Sequence, residues 1–225
     1  MKKTLFSQVV CVALSVFFAV NVSAQEQISN QVSNIPYKLE VYNNPVSYVV
    51  DGNSVVISAL GKTNLFNSPG GKSKVQNAPM LLFKPQGDFT LSARVSGDLK
   101  AVYDVAAFVV YSDENTWAKF CYENSVLKKP TIVSVVTRTF SDDCNSVLTG
   151  KYAYMSVVKK GDEYSFFYSK DGKRWDMIRN FNLDTKGNVK VGFASHGSRG
   201  DGFTAKFSEI KYMDKALEDM RDLNL

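Results

Sequence analysis

Asp88-Phe89-Thr90-Leu91-Ser92-Ala93-Arg94-Val95 alternates apolar and polar side chains without interruption. A strand projects successive side chains to opposite faces, so this run predicts a half-buried β-strand with Phe89, Leu91, Ala93 and Val95 inward. Working outward, short runs of the same kind recur at 54–60, 101–111, 116–123, 131–140, 152–159, 163–169, 174–180, 188–195 and 203–212. Asp51-Gly52-Asn53, Lys160-Gly161-Asp162 and Lys170-Asp171-Gly172-Lys173 stand between them as tight turns. Strand following strand, with no helical period between, predicts an all-β sandwich or barrel of antiparallel strands. Residues 61–77, rich in Gly, Ser, Asn and Lys, read as a long surface loop. Only the tail has helical character, with Asp214 as a cap for a segment carrying Leu217, Met220 and Leu223. No internal repeat is present.

The N-terminus carries an address. Lys2 and Lys3 are followed by a largely apolar stretch from Leu5 to Val22, and Val22-Ser23-Ala24 then offers small residues before Gln25. That order of charge, apolar run and small-residue site is a cleavable secretory signal. Ser7, Gln8, Ser15 and Asn21 interrupt the run and leave it short of the ~20 apolar residues of a membrane span. Cys11 lies inside the run and lacks the small-residue context of a lipoprotein signal. The expected organisation is a signal peptide over 1–24, a flexible lead-in over 25–35 and a single domain over 36–225, placed in the periplasm or outside the cell. No later stretch is apolar enough to span a bilayer.

Composition excludes several function classes. The formal charge of the chain is +5, and two of those charges leave with Lys2 and Lys3. So mild an excess, with no basic block, does not fit a nucleic-acid partner. A single histidine, His196, and two cysteines after the signal, Cys121 and Cys144, give no zinc-site spacing. No cofactor or metal is implied. An oxidising compartment would permit a Cys121–Cys144 disulfide, with free thiols as the alternative. No serine-nucleophile motif accompanies His196, so triad chemistry has no support.

The hairpin over 101–123 holds the most chemistry. With Ser112-Asp113-Glu114-Asn115 as its turn, Asp104 is expected to face Glu123, Phe108 to face Lys119, and Val110 to face Trp117. Ala118, Phe120 and Tyr122 read as core, leaving Trp117, Lys119, Cys121 and Glu123 on the second face. That face would present a flat indole for sugar stacking and two facing carboxylates. Like charges directly opposite destabilise a sheet, so either a compensating cation, from Lys119 or from Arg138 of the next strand, or a proton held by a raised pKa is expected. Carboxylates about 5 Å apart also match the spacing of retaining glycosidases. The alternative is a salt-bridge network on a solvated face. The register depends on the turn, because a slip of one residue sends side chains to the opposite face.

Weaker signals surround it. Ser169-Lys-Asp-Gly-Lys-Arg-Trp175 is one residue short of a sialidase Asp-box and reads as a hairpin turn. His196 precedes Gly197-Ser198-Arg199-Gly200-Asp201-Gly202, which is either a site rim or a flexible connection. Ser141-Asp142-Asp143 reads as a turn, with calcium binding as the other option.

Five segments taken together resemble one family. They are Tyr103-Asp104-Val-Ala-Ala, Trp117-Ala-Lys119-Phe-Cys-Tyr-Glu123, Val133-Ser-Val-Val-Thr-Arg-Thr-Phe-Ser141-Asp142-Asp143, Tyr168-Ser-Lys-Asp-Gly-Lys-Arg-Trp175, and Val191-Gly-Phe193 with Gly202-Phe203-Thr-Ala-Lys-Phe207. In this order, over roughly 37–212, they resemble the YesU-like, regulation-of-enolase-like proteins of unknown function, which are similar to domains ending some family 43 β-xylosidases. The resemblance implies a concanavalin A-like lectin/glucanase jelly roll with one concave sheet, and no established activity. It also implies that Asp104, Trp117, Lys119 and Glu123 line that concave sheet. Ala107, where a glycine is common, and the 196–202 loop depart from the pattern. The Glu-x-Asp-x-x-Glu run of jelly-roll glucanases is absent, so their mechanism does not transfer.

The expected function is binding of an oligo- or polysaccharide on the concave sheet through Asp104, Trp117, Lys119, Glu123, Arg138 and His196. The alternatives are a glycoside hydrolase using Glu123 and Asp104, and a protein-interaction module of the cell envelope. The export signal makes its own prediction. Mass spectrometry of the protein purified from its host should find a mature N-terminus at Gln25, and an intact Met1 would overturn it.

Overall fold

Phe89, Leu91, Ala93 and Val95 are all buried, and the alternation that predicts their strand also sets the layer they belong to. A computed structural model describes residues 30–223; the expected signal peptide and the first residues of the expected lead-in lie outside them. The described residues form sixteen strands: β1 Glu40–Tyr42, β2 Ser47–Asp51, β3 Ser54–Leu60, β4 Leu65–Asn67, β5 Lys74–Gln76, β6 Met80–Phe83, β7 Phe89–Ser96, β8 Asp104–Asp113, β9 Thr116–Asn124, β10 Pro130–Arg138, β11 Phe140–Leu148, β12 Tyr152–Lys160, β13 Glu163–Ser169, β14 Asp176–Asn182, β15 Lys190–Gly197 and β16 Gly202–Met213. Two seven-stranded sheets result, in the orders β1-β6-β15-β8-β9-β10-β11 and β14-β13-β12-β7-β16-β3-β2, with β4 and β5 as a separate hairpin. Pairing within both sheets is antiparallel throughout, and the architecture is a jelly-roll β-sandwich.

Aromatic rings join the two sheets. Phe120 of β9 stacks on Phe166 of β13 with centroids 4.8 Å apart, while Phe108 and Phe193 meet Phe207 at 5.8 and 4.9 Å. Rings at such separations add to their area burial, so these contacts hold the layers in one alignment. Along one side of the sandwich, polar contacts link the two sheets. Arg179 of β14 donates to the Asp142 carboxylate at 2.9 Å, and Arg138 of β10 donates to the Asn182 carbonyl of β14.

Several expectations change. Residues 30–35 are no loose lead-in: Val32 and Ile35 are buried in the intersheet core, and Ser33 donates its amide to the Gly52 carbonyl. The tail is not helical. Its carbonyls are taken by side chains of the second sheet, with Thr90 Oγ1 donating to Lys215 and Ser165 Oγ to Met220. Met220 and Leu223 thereby pack with Val158 and Phe167 on the outer face of that sheet. Residues 61–77 hold the β4–β5 hairpin rather than a plain loop. Polar β11 escapes the strand reading because it is an exposed edge, where burial imposes no alternation.

Cys121 and Cys144 are free thiols, and the disulfide is excluded by register. Val133 pairs with both Cys121 and Asn145, so Cys144, one residue along β11, points to the opposite face. Cys121 is fully buried, which pushes its thiol up to about 12. In the native protein Cys144 should react readily with an aromatic disulfide reagent, whereas Cys121 should react only on denaturation. Peptide mapping after labelling checks the assignment.

Candidate functional site

β9 carries two faces into two different apolar environments. Ala118, Phe120 and Tyr122 enter the intersheet core, and Trp117 and Cys121 enter a second cluster with Leu65, Met80, Val105, Val109, Val133 and Val135. The alternation predicted for this strand therefore holds. The pairing with β8 does not. A bulge between Tyr111 and Asp113 absorbs one residue at the turn, so Val105 faces Glu123, Val109 faces Lys119 and Tyr111 faces Trp117.

That slip removes Asp104 from the face. Its carboxylate accepts the amides of Lys100 and Ala101 at 2.9 and 2.7 Å and so closes the turn entering β8. The glycosidase-like carboxylate pair does not exist. Trp117 is no stacking platform either, since it is fully buried, with Leu65 and Phe66 of β4 in the same cluster. The β4–β5 hairpin is pinned over this end of the sheet by Asn67, whose side chain donates to the Thr139 carbonyl at 2.9 Å, and by the Lys74–Glu114 ion pair at 2.9 Å. Arg138 alternates to the other face and serves the sandwich edge. Asp142 and Asp143 lie in β11 rather than in a turn and project oppositely, so they cannot chelate one cation together.

Lys119, Glu123 and His196 do come together. Antiparallel pairing places His196, Val105, Glu123 and Thr131 in one row across β15, β8, β9 and β10, and Val109, Lys119, Val135 and Asp143 in another. His196, Val105, Glu123, Lys119, Val135 and Asp143 of these rows line a pocket of about 170 Å³, with Asn64 and Phe66 of the hairpin segment and Tyr103 and Ser198 from the rim. The rim is built from unusual backbone. Tyr103 has φ of 66°, its amide donates to the Asn124 carbonyl, and Arg199 lies over its ring at 4.9 Å. The 198–202 loop docks on Gly61, where a Cβ would collide with the Gly200 carbonyl.

The pocket is electrostatically unfinished. His196 is 1% exposed and neither ring nitrogen has a partner. Burial, and then Lys119, hold its pKa well below 6.5, so the imidazole is neutral, with one donor and one acceptor unused. Burial pushes Glu123 up to about 7 despite the opposing pull of Lys119. Lys119 and Glu123 are four residues apart on one strand, about 13 Å between Cα atoms, and make no ion pair within 4.0 Å among the described residues. The Lys119 ammonium instead lies 5.9 Å from the Phe66 ring centre. Lys119, Glu123 and His196 are expected here from the sequence; Asn64 and Phe66 are not, and Asp143 is expected only in a turn or a calcium site. Asn64 and Phe66 come from a segment that reads as loop, and Asp143 from a strand that reads as turn.

Residues 41–215 match the family described as "Protein of unknown function (DUF1349)". The chain belongs to this family. No curated protein matches it. Among solved structures, a functionally unknown protein from Saccharomyces cerevisiae is similar over 78% of this chain and 95% of its own, with 23% identity and a TM-score of 0.69. The GH43 protein BlXynB from Bacillus licheniformis is similar over 76% of this chain, at 16% identity and a TM-score of 0.62. A xylan β-1,4-xylosidase from Bacillus halodurans C-125 is similar over 77%, at 11% identity and a TM-score of 0.57. The chain spans only 36% and 38% of those two proteins. At such identities the likeness is one of fold.

The Glu123 shift has a sign that can be tested. A carboxyl whose folded pKa is raised adds stability below its unfolded value near 4.5, and loses it as pH climbs through about 7. Glu123→Gln is neutral at every pH. Relative to the wild type it should therefore gain about 2–3 kcal/mol of stability between pH 5 and pH 8. Urea unfolding of both proteins at the two pH values measures the difference, and parallel pH profiles would contradict it.

Proposed function

We propose that this protein is an exported glycan-binding member of the DUF1349 family, non-catalytic, taking a sugar in the pocket between β15, β8, β9 and the β4–β5 hairpin. The observation that carries this reading is His196, whose two buried nitrogens line the pocket with no partner. An unsatisfied buried donor and acceptor are costly to keep, and sugar hydroxyls supply both functions at once. Phe66 and Tyr103 add aromatic walls beside the polar groups, the mixture small-molecule sites use. The volume suits one sugar ring, such as a chain end or a branch, better than an extended polysaccharide laid along the sheet. The fold likeness to parts of a GH43 protein and of a xylan β-1,4-xylosidase agrees with a carbohydrate ligand.

One observation favours a second reading. A carboxyl raised to about 7 in a pocket is suited to acid–base work, so a glycoside hydrolase or lyase using Glu123 is the rival. Glycan arrays followed by calorimetry separate the two. The binding reading expects retention of an intact glycan, lost in a Ser198→Trp variant that fills the pocket mouth. Reducing ends released from the glycan and abolished by Glu123→Gln would replace it with the enzyme reading. Failure of every plant, host and bacterial glycan to bind would reject the site.

A further inference from the structure

Two lysines are buried among the described residues, and they are served differently. Lys159 has the Asp88 carboxylate at 3.8 Å and the Gly87 carbonyl at 3.4 Å. Lys119, only 4% exposed, has the face of Phe66 and no carboxylate within 4.0 Å among the described residues. A desolvated cation without a counter-ion is strongly disfavoured, so the pocket is short of an anion at the Lys119 ammonium. Resting on the glycan-binding reading, we propose that the sugar this pocket takes is acidic, a uronate whose carboxylate pairs with Lys119.

The other groups facing Lys119 fit that ligand. Glu123, on the same strand, is pushed by burial toward its protonated form, in which it donates to a carboxylate instead of repelling it. His196 of β15 is neutral and offers hydroxyl contacts without contributing charge. Asp143 of β11 is the other carboxylate in the lining, and it lies on an exposed edge strand where solvent screens it. Asn64 and Phe66, from the hairpin segment, have no ionisable group, and Tyr103 adds a phenol ring at the rim. A neutral sugar would occupy the same space and leave Lys119 unpaired.

Charge in the ligand couples binding to a proton. A carboxylate placed beside Glu123 favours its protonated form, so above about pH 7 the complex forms with uptake of up to one proton. The sign is fixed: affinity falls as pH rises through that range.

Calorimetric titration of the full mature chain decides it, using glucuronate- and galacturonate-containing oligosaccharides beside their methyl esters and neutral counterparts. The acid should bind at least about tenfold more tightly than its ester, and should weaken by up to about tenfold per pH unit above 7. Lys119→Met should bring acid and ester to within about threefold of each other. Equal binding of acid and ester would overturn the uronate and leave the glycan-binding reading standing. A preference that survives in Lys119→Met would overturn the role of Lys119. No sugar bound in any form would remove both proposals together. Should Lys119→Met fail to fold, the acid–ester ratio of the wild type and its pH dependence still decide between an acidic and a neutral sugar.

Discussion

Burial of β9 on both faces is the constraint on which the rest of the molecule depends. A sheet with one face in water would leave Lys119 and Glu123 solvated and of little consequence. Here Phe120 locks one face of the strand to the opposite sheet, while Trp117 and Cys121 are sealed into a second cluster on the other. Lys119 and Glu123, on the same face as Trp117 and Cys121, are held where water is scarce. Their environment follows from packing that neither of them contributes to.

The β4–β5 hairpin makes that second burial possible, and it is a small element held by polar detail. The Asn67 side chain reaches the carbonyl at the β10–β11 turn, and its backbone amide donates to the Ser141 hydroxyl at 2.9 Å. Gln76 donates to the Asn67 side chain at 2.8 Å and also to the Glu114 carbonyl at the β8–β9 turn, joining hairpin to sheet. These contacts place Phe66 beside Lys119 and convert an open sheet face into a pocket. The raised Glu123, the neutral His196 and the unpaired Lys119 are three results of the same exclusion of solvent.

Parts of this arrangement are legible in the sequence for a definite reason. Alternation within a strand is a local property, so the faces of β7 and of β9 follow from residue order alone. Pairing between strands is not local. Asp104 falls opposite Glu123 only if the turn pairs Ser112 with Asn115; the chain instead closes Asp113 on Thr116, and the bulge that follows puts Val105 opposite Glu123. Trp117 shows a different failure. Its face follows from the alternation, but whether an indole on that face meets water or protein depends on a hairpin more than forty positions earlier. Arg138 and the cysteines fail as Asp104 does, through parity across neighbouring strands.

The sequence by itself determined the all-β class, most strand positions, and the shared face of Trp117, Lys119, Cys121 and Glu123, because each depends on side-chain period and turn chemistry along the chain. Tertiary structure alone decided that Asn64 and Phe66 join the site, that Asp104 and Arg138 do not, and that the site is a pocket rather than an open sheet. Those outcomes depend on register and on which surface a remote segment covers, and they are settled by the packing of the whole sandwich rather than by any one stretch of residues.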